Sequence, residues 1–97
     1  MTCEEAIRIL HDALPGLRER FDVVDLSLFG SVARNEAGPD SDVDVLVSFG
    51  PEADLLDLVN LRFMLEDLLG VKVDLATPGE LKPRARPSIE RDLIHVA

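Results

Sequence analysis

Three short segments of the chain alternate apolar residues with other residues, which is the pattern of a β-strand with one buried face. The segments cover residues 24–29, 42–48 and 71–76. In the first segment, Val24, Leu26 and Leu28 are predicted to face the core, and in the second segment valine occupies every other position from 43 to 47. Strands must pair, so this pattern predicts a small sheet of about three strands.

Apolar residues at helical spacing predict the segments that cover this sheet. A Thr2–Glu5 capping box opens a first helix over about residues 3–14, and Pro15 is expected to break or restart it before one or two further turns in "GLRERF". A closing helix is predicted over residues 88–96, with Ser88 as its cap, after a proline-interrupted loop over residues 78–87.

The longest apolar segment, "ADLLDLVNLRFMLEDLLG", predicts a helix between the second and third strands. Acidic residues fall in its first turn and Gly70 follows its end, as the helix dipole and a left-handed C-cap favour. One broad face is predicted to pack on the core, comprising Leu55, Leu58, Val59, Leu61, Leu65, Leu68 and Leu69.

The order of these elements predicts the fold class. Helix, strand, strand, helix, strand and helix give an α+β (mixed α/β) fold, in which a small mixed sheet has helices packed mainly on one face. The other face is then at least partly open. At 97 residues, we expect residues 1–97 to form a single domain.

Charge and composition narrow the functional classes. The net charge of −9 argues against nonspecific binding to nucleic acid or membrane surfaces and favours a divalent cation. The single cysteine, Cys3, excludes an internal disulfide framework and is interpreted as a structural thiol. No signal peptide or membrane span is apparent, so we expect a soluble, cytoplasmic protein.

Three aspartates fall on the open side of the predicted sheet. Asp42 and Asp44 are two residues apart at the start of a strand, so they project from the same side with Cα atoms about 6.5 Å apart. Asp74 has the same parity on another strand. Unneutralised carboxylates at this spacing repel each other, whereas Mg²⁺ accepts such oxygen ligands and completes its shell with water and phosphates. The pattern indicates metal-dependent phosphoryl or nucleotidyl transfer.

The Gly30-Ser31 pair at the end of the first strand fits the same chemistry. A glycine there lets the backbone approach a phosphate closely, and Ser31 offers a hydroxyl and an amide. Arg34, three residues on, either contacts the triphosphate or pairs with Glu36. Each motif alone is common in strand ends and turns, and the prediction depends on their occurring together.

The segment "GSVARNEAGPDSDVD" places ten residues between Gly30-Ser31 and Asp42-x-Asp44. This resembles the G-S-x10-D-x-D signature of the DNA polymerase β-like nucleotidyltransferase superfamily. The resemblance extends through "LFGSVAR", "SDVDVLV" and "LEDLLGVKVDLATP" to the minimal nucleotidyltransferases (MNT), the antitoxins that are partners of HEPN-domain toxins. Asn35 departs from the glycine that many relatives have in this turn, although asparagine also tolerates a left-handed backbone.

The resemblance implies a role for each matching residue. Asp42 and Asp44 would bind Mg²⁺, in a site for two ions, and Asp74 would be the third catalytic and metal-binding carboxylate. Gly30 and Ser31 would hold the phosphates of ATP, with Arg34 as a further nucleotide contact. The implied activity is transfer of AMP from ATP to a tyrosine of a cognate HEPN toxin, which neutralises the toxin within a hetero-oligomer.

Two other functions stay open at this point. The chain would act as a binding antitoxin if it occluded the HEPN partner without catalysis, and a complete acidic triad disfavours this. It would be a small-molecule nucleotidyltransferase if a dimer supplied the acceptor site. The basic cluster Lys82, Arg84, Arg86 and Arg91 is either a solvated tail or a contact for nucleotide or partner.

Overall fold

Residues 1–96 are described by a computed structural model, in which four strands form one sheet. The strands are β1 (Val23–Phe29), β2 (Val43–Phe49), β3 (Val73–Ala76) and β4 (Ile94–His95). The helices are α1 (Cys3–Phe21), α2 (Gly30–Ala33), α3 (Leu55–Leu69) and α4 (Arg86–Asp92), with a 3-10 turn at Pro78–Glu80.

The sheet is mixed and has the strand order β3-β2-β1-β4. β1 pairs antiparallel with β2 on one side and with β4 on the other, whereas β2 and β3 are parallel. A parallel pair needs a crossover connection, and α3 supplies it between β2 and β3. The predicted fold class, an α+β fold with a small mixed sheet, is confirmed.

The core lies between the sheet and the helices α1 and α3. Alternate residues of β2 are fully buried, as the period of two requires: Val43, Val45 and Val47. α1 contributes Cys3, Ala6, Leu10, Leu14, Leu17 and Phe21, and α3 contributes Leu61, Leu65 and Leu69. The helix spacing of both sets matches one face of an α-helix. Cys3 is a buried free thiol in this core, as predicted.

The prediction that Pro15 breaks the first helix is wrong, because α1 continues to Phe21 with Pro15 inside it. Proline removes one backbone hydrogen bond, but the buried stripe of α1 continues past it through Leu17 and Phe21. Burial of these two side chains offsets the lost hydrogen bond. The helix ends at Asp22, which has a left-handed conformation.

The last segment also differs from its prediction. The helix expected over residues 88–96 is α4, Arg86–Asp92, and it is followed by the short strand β4, which the sequence did not reveal. Ser88 is not its cap: the N-cap is Ala85, and a proline lies in the first turn, where its missing N–H costs nothing. The Val96 amide donates to the Leu26 carbonyl at 2.8 Å, so pairing with β1 overrides helix propensity here.

Four predicted core positions, one in β1 and three in α3, are exposed. A register irregularity between Val23 and Asp25 shifts the alternation of β1, so Val23 is buried and Val24 is 49% exposed. In α3 the predicted broad face is narrower, because a helix on a sheet buries only the stripe it presents. Of the residues assigned to that face, Leu55, Val59 and Leu68 are exposed.

β3 also begins two residues later than predicted.

The helix termini follow the sequence more closely. The Thr2 hydroxyl accepts a hydrogen bond from the Glu5 amide at 3.1 Å, and Asp54 and Asp57 form a reciprocal capping box at the start of α3. Gly70 ends α3 in the left-handed conformation, as predicted. These local signals fix where the helices begin and end. No helix in residues 1–96 is long and apolar enough to cross a membrane.

Candidate active site

Asp44 and Asp74 face each other across two neighbouring strands. In the parallel register of β2 and β3, the Cα atoms of Asp44 and Asp74 are direct partners. On its other side, Asp44 is opposite Phe29, the last residue of β1 before Gly30. The central position of β2 therefore places the Asp44 carboxylate between the end of β1 and Asp74. Asp42, just before β2, is exposed at the edge of the same region.

The Gly30-Ser31 turn lies against the Asp44 carboxylate. Gly30 has a left-handed backbone with φ of 76°, and a Cβ built on it would stand 2.0 Å from Asp44 Oδ2. Both the conformation and the close approach therefore require glycine. Gly30 opens the four-residue helix α2.

Asp44 is the electrostatically strained member of the group. Partial burial raises the pKa of its carboxyl above the ordinary 3.8, and the negative charges of Asp74 and Asp42 raise it further. The positive charge of Arg34 lowers it. Asp74 and Asp42 are therefore both close enough to act on the Asp44 carboxylate.

These carboxylates fit a divalent cation that also takes ligands from elsewhere. Among residues 1–96, no three Asp, Glu, His or Cys side chains converge closely enough to hold an ion by themselves. Mg²⁺ is usually bound through one or two carboxylates, with water and substrate phosphates completing its octahedron. The hard oxygen donors, their mutual repulsion and the open space beside them suit that kind of site. The metal-binding roles of Asp42, Asp44 and Asp74 stay predictions.

Arg34 forms ion pairs with two carboxylates. Its guanidinium donates to Glu36 at 3.1 Å and to Asp92 of α4 at 2.6 Å, and it remains exposed. Both carboxylates raise the pKa of Arg34, and Glu36 has the larger effect. The pairing with Glu36 was one of the two roles that the sequence predicted for Arg34. The pairing with Asp92 could not be predicted from the sequence, because the two residues are 58 positions apart. A nucleotide contact by Arg34 stays a prediction.

Asn35 has a role that the sequence indicated only in part. Its φ of 58° confirms the left-handed backbone expected at this position. In addition, its side-chain oxygen accepts the Cys3 amide at 2.9 Å, so it caps α1 from a distance of 32 residues. Asn35 therefore ties the start of α1 to the turn that follows α2.

The sequence did not predict an open groove of 1440 Å³ beside the carboxylates. Its sheet side is lined by Asp42, Lys72 and Asp74, and its helix side by Asn60, Arg62, Phe63 and Met64 of α3. The Arg62 guanidinium lies over the Phe63 ring at 5.2 Å from the centroid. The apolar residues of α3 were the available sequence signal, but the sequence reveals neither which of them are exposed nor how they lie relative to Asp74. Of the basic cluster near the C-terminus, Arg86 is used locally and donates to the Pro78 carbonyl at 3.0 Å.

Comparison with known proteins gives a consistent assignment. The sequence profile described as "Nucleotidyltransferase domain" matches residues 10–96. The protein adenylyltransferase MntA of Thermococcus cleftensis is 42% identical over 96 residues, which cover 99% of this chain and 97% of that protein. The chain is therefore similar to this relative over nearly its whole length.

Solved structures share the fold. A structure provisionally described as a minimal nucleotidyltransferase superimposes with a TM-score of 0.80 at 42% identity, covering 97% of this chain and 95% of that one. A complex of the tri-AMPylated Shewanella oneidensis HEPN toxin with its MNT antitoxin contains a chain that superimposes with a TM-score of 0.66. That match has 17% identity and covers 94% of this chain and 71% of the other, so it shows the fold alone.

Proposed function

This chain belongs to the nucleotidyltransferase domain family as a relative of the MntA protein adenylyltransferases, and from that membership we propose that it transfers AMP from ATP to a protein hydroxyl. The proposed acceptor is a tyrosine of a HEPN-domain toxin, which the modification neutralises. The observation that carries the proposal is the opposition of Asp44 and Asp74, with Gly30 against the Asp44 carboxylate. This arrangement brings the predicted phosphate and acceptor ends of the reaction to one place.

Each site residue has a proposed part in binding. Gly30 and Ser31 contact the phosphates of ATP through backbone amides and the Ser31 hydroxyl. Asp42 and Asp44 hold Mg²⁺, with Asp74 as a further carboxylate ligand. When bound, Mg²⁺ supplies positive charge that offsets the triphosphate and the developing charge on its oxygens. Arg34, which follows α2, is the proposed further contact to the nucleotide.

Asp74 has the proposed part in the transfer itself. Its carboxylate accepts the proton of the tyrosine hydroxyl as the phenolic oxygen attacks the α-phosphorus of ATP. A bond forms between that oxygen and the phosphorus, and the bond from the phosphorus to the bridging oxygen breaks. Pyrophosphate leaves with the negative charge. Asp74 suits this part because it is exposed toward the groove, whereas Asp44 is half-buried beside Gly30.

The experiment uses the full chain and a cognate HEPN-domain protein, the acceptor that the proposal names. The two are incubated with ATP and MgCl₂, and intact-mass spectrometry follows AMP-sized additions to the HEPN protein. We expect addition with the wild type, none with EDTA, and none with Asp42→Asn/Asp44→Asn. Peptide mapping then identifies the acceptor, and its Tyr→Phe variant should remain unmodified.

A toxicity assay separates the other functions. If the wild type adds no AMP and Asp42→Asn/Asp44→Asn still neutralises the HEPN protein in cells, the proposal is wrong and the chain acts by occlusion. If AMP appears on a small acceptor and never on the HEPN protein, the chain is a small-molecule nucleotidyltransferase. The matched control is Asp12→Asn, which removes one exposed carboxylate of α1, a helix that contains none of the proposed site residues.

A further inference from the structure

Helix α3 carries a second apolar face that nothing in residues 1–96 covers. Leu61, Leu65 and Leu69 point into the core. Four other apolar residues, which we call the α3 outer stripe, are exposed by 75%, 66%, 40% and 56%: Leu55, Leu56, Val59 and Phe63. Their spacing of one, four and eight residues from Leu55 places them along one side of the helix. The side opposite a buried stripe is normally polar, so this face is unusual.

The outer stripe is not a packing defect of a poorly formed helix. α3 begins with a complete capping box between Asp54 and Asp57 and ends at a left-handed Gly70. The Glu66 carboxylate also accepts the Val73 amide at 3.0 Å, which fixes the helix against β3. A rigid helix that presents contiguous leucine, valine and phenylalanine side chains is typical of an interaction site.

The stripe is continuous with the candidate active site. Phe63 belongs to the stripe and also lines the groove that contains Asp42 and Asp74. A partner protein that covers Leu56 and Val59 would therefore also reach Phe63, at the mouth of this groove. Arg62 and Met64, the neighbours of Phe63 in the chain, line the same groove.

Charge identifies the kind of protein that fits. Asp54 and Asp57 lie at the first turn of α3 and Asp67 lies near its end, in a chain with a net charge of −9. Two copies of this chain packed through the stripe would bring these like charges together, which is unfavourable at an interface. A partner with apolar side chains surrounded by lysine or arginine is complementary to the same surface.

We propose that the α3 outer stripe is the docking surface for the acceptor protein of the adenylylation, whose contacting surface is apolar with a basic rim. This inference rests on the proposed function. Docking there holds the acceptor protein by Leu55, Leu56 and Val59, while the segment next to Phe63 enters the groove and brings its hydroxyl to Asp74. The stripe thereby contributes affinity and positioning and takes no part in the chemical step.

The test compares Leu56→Ser/Val59→Ser with Leu68→Ser. Leu68 is also exposed on α3, but at about 100° per residue it lies on the opposite side of the helix from Val59. The probe is the same cognate HEPN-domain protein as in the AMP-transfer experiment. Its Kd for each variant is measured by calorimetry at two salt concentrations, and its KM and kcat as acceptor are measured by AMP transfer.

We expect the double variant to raise both Kd and KM by at least about tenfold, with kcat unchanged and the circular dichroism spectrum and melting temperature preserved. Leu68→Ser should stay within twofold of the wild type, and higher salt should weaken wild-type binding. Unchanged Kd and KM in the double variant, or an equal loss in Leu68→Ser, would overturn the proposal. So would a homodimer, seen by sedimentation without the HEPN protein, that the double variant dissociates.

The outcomes for docking and for catalysis are distinct. Tight binding that the double variant weakens, without any AMP transfer, supports the stripe as a docking surface but refutes the proposed function. AMP transfer that the double variant leaves unchanged refutes the stripe and supports the proposed function. If the wild type neither binds nor modifies the HEPN protein, both are wrong.

Discussion

Gly30 approaches the Asp44 carboxylate so closely that a side chain at Gly30 would overlap it, with a Cβ only 2.0 Å from Asp44 Oδ2. This contact joins the residue that follows β1 to the start of the neighbouring strand β2. It explains why the Gly-Ser turn and the second aspartate belong to one site although thirteen residues separate Gly30 from Asp44.

Gly30→Ala is expected to impair both stability and activity. The left-handed backbone costs about 1–3 kcal/mol for a residue with a Cβ, and the carboxylate must also move. The matched control is Gly70→Ala, because Gly70 has a φ of 71° and nothing within 4 Å of its built Cβ. It should lose stability through the backbone alone and keep AMP transfer. Urea denaturation measures the stability of each variant, and the AMP-transfer assay measures its activity. Equal losses of activity in Gly30→Ala and Gly70→Ala would show that the contact between Gly30 and Asp44 does not matter for activity.

Asp44→Asn is expected to abolish AMP transfer but stabilise the metal-free fold by about 0.5–1 kcal/mol, as relief of charge repulsion commonly does. The raised pKa of Asp44 means that the native state binds more protons than the unfolded state. The contribution of Asp44 to wild-type stability therefore falls as pH rises through the window between 3.8 and its folded pKa. The advantage of Asp44→Asn should be present above that window and vanish below it. Denaturation at a series of pH values, with Asp12→Asn as the control, measures how the stability difference between Asp44→Asn and the wild type depends on pH. A stabilisation by Asp44→Asn that persists at low pH would contradict the prediction.

Mg²⁺ is expected to raise the melting temperature of the wild type, because it binds the folded carboxylates and not the unfolded chain. The gain is about 1.4 kcal/mol at ten times the dissociation constant. Asp42→Asn/Asp44→Asn should show no gain, and KCl at matched ionic strength should not reproduce it. A thermal melt therefore tests the metal site without measuring activity. Equal gains in the wild type and the double variant would exclude these carboxylates as the ligands.

Arg34→Gln is expected to weaken ATP binding by about tenfold, if its guanidinium contacts the nucleotide as proposed. Asp92→Asn and Glu36→Gln remove the present partners of Arg34 and should leave ATP affinity unchanged or improve it. Calorimetric titration with a non-hydrolysable ATP analogue distinguishes these results. If Arg34→Gln and Asp92→Asn have the same effect, Arg34 acts only as a link between α2 and α4.

Asn35 offers a test of how the turn after α2 is held. Asn35→Gly keeps the left-handed backbone but loses the cap on the Cys3 amide, which is worth about 1 kcal/mol. Asn35→Ala loses the cap and adds backbone strain of about 1–2 kcal/mol. Asn35→Asp retains an acceptor and should be close to the wild type. Unfolding free energies should follow the order Asp, Gly, Ala, and equal values for Gly and Ala would show that the backbone is unstrained.

Much of the fold was predictable because its signals are local. Strand alternation located β1, β2 and β3 to within two residues, and capping residues located both ends of α3. The errors have tertiary causes. Burial of Leu17 and Phe21 carries α1 through Pro15, and pairing with β1 makes a strand of residues 94–95. A register irregularity in β1 exposes Val24 in spite of its apolar side chain.

The sequence by itself determined the pieces of the candidate site. Gly30, the Asp42-x-Asp44 pair and the left-handed Asn35 follow from backbone conformation and the period of a strand, which depend on a few neighbouring residues. The tertiary structure alone decided how these pieces meet. It set Asp74 opposite Asp44, paired Arg34 with Asp92, and left one side of α3 uncovered beside the groove. These relations depend on the register and packing of segments distant in the chain, which no local pattern specifies.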